Sequence, residues 1–151
     1  MCKILLFTFF LFVFIFPACP QESQDIVSFE DLKFYSYFEE MAFYNFTRGS
    51  EDVLMLFAAI DPDVNTNIYE GFKKDLKREL ESIDNRKFQR VGEEKKISII
   101  YDHVNAQVLT HYREKILFPH IFVNGTFNCL TASAYYGLMM DSLGIEYDFR
   151  E

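Results

Sequence analysis

Residue types that usually carry catalysis or hold metals are scarce in this chain, which has three cysteines and three histidines among 151 residues. His103 and His111 stand eight apart, neither has Asp or Glu four residues away, and no cysteine pair has zinc-finger spacing, so no metal is expected. There is no glycine-rich phosphate loop, internal repeat or low-complexity tract, and no cofactor is expected. Basic residues are also few, 15 Lys and Arg against 23 Asp and Glu, for a net charge of −8. That balance argues against nucleic acid as a partner and against electrostatic adhesion to an anionic bilayer.

Long apolar runs are absent except at the start, where Lys3 is followed by Ile4 to Phe16 and then by Pro17-Ala18-Cys19-Pro20. A charged start, an apolar middle and a small-residue end read as a secretory signal over residues 1–18. The run falls short of the ~20 apolar residues that span a bilayer. An uncleaved anchor is the alternative. Cys19, directly after Ala18, stands where a bacterial lipoprotein carries its acylated cysteine, and lipidation there would anchor the protein without spanning the membrane. Plain secretion after cleavage nearby is the other reading, and residues 19–27 serve as a tether in both. The expected location is the periplasm, the cell envelope or the medium.

Cleavage leaves about 130 residues, the length of one domain with a core of its own. Cys2 leaves with the signal, so only Cys19 and Cys129 remain. A Cys19–Cys129 disulfide and an inert buried Cys129 are the structural alternatives to a reactive thiol.

Helices dominate the pattern from residue 28 onward. Ser28 with Asp31 resembles a capping box before a helix from Phe29 to about Tyr44, with Phe34, Phe38 and Met41 on its core-facing side. A short apolar helix from Glu51 to Ile60 follows, stopped at Asp61-Pro62. Ile68, Phe72, Leu76, Leu80 and Ile83 then stripe a helix from Asn67 to about Ile83, whose outer face carries Lys73, Lys74, Lys77 and Arg78 interleaved with Asp75, Glu79 and Glu81. That mixture reads as a solvated face, not a basic binding patch. After Gly92, Ile97, Ile100, Tyr101, Val104 and Val108 stripe a helix from Glu93 to Tyr112. Packing of helix on helix also explains the many Phe and Tyr residues.

The chemistry-bearing segment is Asn128-Cys129-Leu130-Thr131-Ala132-Ser133-Ala134. Asn128 is a good N-cap, an almost wholly apolar helix runs to Leu143, Gly144 stops it, and Ile145 to Phe149 alternates as a strand. Cys129 therefore opens a helix. Unpaired N–H groups and the positive end of the dipole at such a position stabilise a thiolate.

The stretches Asn128–Leu138 and Leu143-Gly144-Ile145-Glu146-Tyr147 resemble the core of bacterial transglutaminase-like proteins. The resemblance covers the last third of the chain and implies a papain-like α+β fold, here its mainly helical half with one C-terminal strand, over residues 28–151. It implies a thiol nucleophile at Cys129, followed by a histidine and then an aspartate on later strands, with a protein or peptide amide as substrate. The sequence departs from that pattern, because Glu151 is 22 residues beyond Cys129 and no histidine follows the cysteine. Only the nucleophile position carries over.

Of the preceding histidines, His120 is the best placed, in a loop leading into the cysteine turn, while His103 and His111 are expected on the surface or in the packing of the second long helix. Asn128 would support the site as a cap or beside an oxyanion. In a bacterial chain, Asn45-Phe46-Thr47 and Asn124-Gly125-Thr126 read as turns and not as glycosylation sites. Two function classes follow: a thiol peptidase or acyltransferase, inert toward amides as this chain stands, and a non-catalytic envelope lipoprotein or binding domain.

Overall fold

The computed structural model describes residues 32–83 and 86–146, and a compact unit begins at Lys33. The signal segment, Cys19, the tether, the Ser28 capping box and residues 147–149 of the expected last strand lie outside the described residues. Among the described residues, six helices and one two-stranded parallel sheet make a mainly helical α+β unit.

Helix α1 (Tyr37–Thr47) starts later than its apolar pattern suggests. Ser36 is extended and its Oγ accepts the Glu39 N–H at 3.0 Å, so the cap holds the start at Tyr37, and Phe34 lies before the helix. Glu39 and Glu40 stand in the first turn, where the dipole favours them. The Asn45-Phe46-Thr47 triplet is the last turn of α1, not a loop. Helix α2 (Val53–Ala59) is capped by Asp52, whose Oδ1 accepts from the Met55 N–H at 3.1 Å.

Helix α3 (Thr66–Ile83) buries Tyr69, Phe72, Leu76 and Ile83, while Ile68 stays exposed. Its outer charges pair with one another, Lys73 with Glu70 at 3.4 Å and Arg78 with Asp75 at 2.9 Å, as a solvated face requires. Helix α4 (Glu93–Gln107) buries Ile100 and Val104 but leaves Ile97 and Tyr101 exposed. It ends five residues short of the expected Tyr112, because the chain turns after Val108 to enter a sheet.

That sheet pairs β1 (His111–Tyr112) with β2 (Thr126–Phe127) in parallel, His111 opposite Thr126 and Tyr112 opposite Phe127. The Thr110 and His111 N–H groups donate to the Gly125 carbonyl at 2.9 and 3.2 Å, and the Arg113 N–H donates to Phe127 at 2.8 Å. Between the strands lies α5 (His120–Asn124), in a stretch the sequence suggested was loop. Gly125, with φ +69°, ends α5; a Cβ there would collide with Thr110 Oγ1 and the Val108 carbonyl, so only glycine fits.

Helix α6 (Cys129–Ser142) then runs against α4, and Gly144 turns the chain at φ +67°. Ile145 and Glu146, the two described residues after it, are not in a strand, and the sheet among the described residues precedes the cysteine helix. The centre of the core is aromatic. Phe118, Phe122 and Tyr135 cluster, Phe57 meets Phe118 at 5.0 Å, and Phe72 stacks on Phe122 at 4.9 Å.

Candidate thiol site at the head of α6

Cys129 is the first residue of α6, exposed and not in a disulfide. The buried-cysteine alternative therefore does not describe it, and Cys19, the partner in the disulfide alternative, lies outside the described residues. Asn128 caps the helix: its Oδ1 accepts the Thr131 N–H at 2.8 Å, and Thr131 Oγ1 accepts the Asn128 N–H at 2.9 Å. This reciprocal pair closes the first turn. Both hydrogens of Asn128 Nδ2 point back to the preceding loop, at the carbonyls of Glu114 (3.1 Å) and Ile116 (3.3 Å). In this arrangement the side chain anchors and caps; it has no hydrogen left to offer an oxyanion.

The side chain beside the thiol is one that sequence reasoning missed. Tyr112 is exposed, its ring stands edge-on to Phe127 at 5.8 Å, and its hydroxyl interacts with Cys129. The negative charge of a neighbouring Cys129 thiolate is the main influence that pushes the Tyr112 phenol upward from its ordinary value. The strand pairing makes this contact: β1 in register with β2 sets Tyr112 opposite Phe127, two residues before the cysteine. Nothing in the local sequence marks Tyr112, because it sits where the apolar period of α4 runs out.

The histidines lie elsewhere. His103 Nε2 meets Glu79 Oε2 at 2.8 Å and Ser82 Oγ at 3.3 Å, which ties α4 to α3. Although Ser, His and Glu meet here, both partners contact the same ring nitrogen, so the trio lacks the relay geometry of a catalytic triad. His111 is on β1, not in a helix, and its Nδ1 meets Thr110 Oγ1 at 2.8 Å. Alternation along the strand directs it to the face opposite Tyr112. His120 opens α5, and its backbone N–H donates to Leu117 at 3.2 Å. Among the described residues no imidazole hydrogen-bonds Cys129, and no group of three His, Cys, Asp or Glu side chains is arranged to hold a metal.

The chain matches no family model, no curated protein and no solved structure. The site rests on its own chemistry.

An apolar cleft of about 400 Å³ borders the start of α6, lined by Phe57, Ile60, Ile116, Leu117, Leu130 and Ala134. Ser133 also borders it, and its Oγ donates to the Cys129 carbonyl at 2.9 Å, so the cleft and the cysteine share the first turn of α6. Leu130, at the edge of the cleft, is 79% exposed. The exposed thiol can accept an acyl group, and the cleft at the same end of α6 can take an apolar side chain. They provide no base.

Proposed function

We propose that this chain is an exported domain of transglutaminase-like type that presents Cys129 as an acyl-accepting thiol and binds a peptide with an apolar side chain beside it, without turning over amides. The observation that carries the reading is an exposed thiol next to Tyr112, on the helix turn that borders an apolar cleft, while the imidazoles of His103 and His111 meet other partners. An amide demands a general base for the thiol and an acid for the leaving amine, and loss of one triad member lowers the rate by about 10³-fold or more. An activated ester demands neither, because its leaving group departs as a stable anion. The Cys129 sulfur would attack the ester carbonyl, a thioester would form as the phenolate leaves, and the thiol proton would pass to solvent.

The test uses the full chain with Cys2→Ser and Cys19→Ser. Iodoacetamide is expected to alkylate Cys129 in the native protein, and p-nitrophenyl acetate to release nitrophenolate in a burst that stops at one acetyl group per chain. Glutamine peptides are expected to release no ammonia. Steady ammonia release that Cys129→Ala abolishes would overturn the non-hydrolytic reading. Alkylation only after unfolding would remove the thiol from the site altogether.

A further inference from the structure

The exposed aromatic side chains of this unit are concentrated at its beginning. Tyr35 is 89% exposed, Tyr37 77%, Phe46 53% and Tyr44 41%. Tyr44 also packs with Phe34 at 6.2 Å and has the Arg48 guanidinium over its ring at 5.9 Å. Tyr37 and Tyr44, seven residues apart, share the side of α1 away from buried Phe38 and Ala42, so folding of the unit leaves these two rings unburied, while Phe46, four residues after Ala42, is exposed near the helix end. Aromatic rings on an outer face with an arginine among them have the composition of a membrane-interface belt, where amphipathic rings settle at headgroup level.

Two sequence facts say what covers this face. The apolar run from Ile4 to Phe16 and Cys19 lie upstream of it, and from Cys19 to Tyr35 is sixteen residues, a reach of at most about 55 Å. An anchor at either place holds this end of the unit near the bilayer, at an effective concentration of about mM, so even a weak interfacial affinity is satisfied. The segment is also neutral, with Lys33 and Arg48 against Glu39 and Glu40, in a chain of net charge −8. A neutral stretch is not repelled by an anionic lipid surface as the acidic chain as a whole would be.

We infer that the aromatic face of α1 docks in the headgroup region of the bilayer to which the N-terminal segment is anchored. The inference rests on the export and anchoring reading and goes beyond it, by assigning a lipid-contacting surface to the folded unit. Docked in this way, α1 lies along the membrane and the unit is oriented, not free to tumble on its tether.

The chain contains no tryptophan, so a single introduced indole reports without background. Full chains carrying Tyr37→Trp or, as a control on α4, Tyr101→Trp are reconstituted into phosphatidylcholine vesicles containing lipids brominated near the headgroup end of the acyl chains. Tyr101 is exposed and stacks on Tyr136. The Tyr37→Trp emission is expected to shift to the blue and fall by about half, as for a ring buried about 5–10 Å into the interface, with the Tyr101→Trp emission unchanged. Chains that float with the vesicles while both indoles remain equally unquenched would overturn docking and leave anchoring intact. Chains that fail to float would overturn both.

Discussion

Asn128 uses every polar group it has. Oδ1 and the backbone N–H close the first turn of α6 with Thr131, and Nδ2 fastens the loop at Glu114 and Ile116. Asn128→Ala should therefore cost more than an ordinary cap, about 1–3 kcal/mol, since two loop carbonyls lose their donor as well. Urea unfolding measures it, and a loss below a few tenths of a kcal/mol would mean the loop is held by other contacts. At this scale much was legible: an asparagine before a cysteine at the head of an apolar helix is a cap by residue chemistry, although the reciprocal bond from Thr131 emerged only in the structure. Tyr112 was not legible, because its meeting with the thiol depends on a strand pairing between residues 15 apart.

The long helices and the short strands differ in how they can be read. Helices α3 and α4 repeat their apolar residues over several turns, so their existence follows from period alone, although Ile68, Ile97 and Tyr101 fall at the edges of their stripes and remain exposed. Strands of two residues have no period. They exist because Gly125, in the left-handed region, lets the chain leave α5 and offer its carbonyl to Thr110 and His111. Gly125→Ala should lower stability by about 2 kcal/mol or more, from the left-handed backbone together with the collision at Thr110 and Val108. It should also loosen the contact of Tyr112 with Cys129, seen as faster iodoacetamide labelling of the native protein. Unchanged stability would mean the β1–β2 connection relaxes freely.

Across the whole unit, tyrosines link helices that are distant in sequence. Tyr69 is pushed upward by burial and then by its hydrogen bond to Asp52 at the head of α2, and Tyr135 by burial and then by Glu79 and Asp75. Tyr136 is pushed to about 12, by burial first and Tyr101 second, while accepting a hydrogen bond from Asn105 Nδ2 at 2.8 Å. All three bind their protons more tightly folded than unfolded. Their contribution is complete below the unfolded value of about 10 and is lost as pH rises through the folded values. Urea midpoints should hold steady to about pH 9 and fall steeply toward about pH 11, and Tyr69→Phe should flatten that fall. A midpoint unchanged at the alkaline end would show that these hydroxyls ionise without resistance from the fold.

By itself the sequence determined the class of the molecule, mainly helical and acidic, and the place of Cys129 at the head of a capped apolar helix. These follow from local rules of period, capping and glycine stops that act within a few residues. Tertiary structure alone decided what faces the thiol. Tyr112, the cleft between α2 and α6, and the removal of His103 to a partner on α3 each require segments far apart in sequence to meet, and local rules cannot specify that.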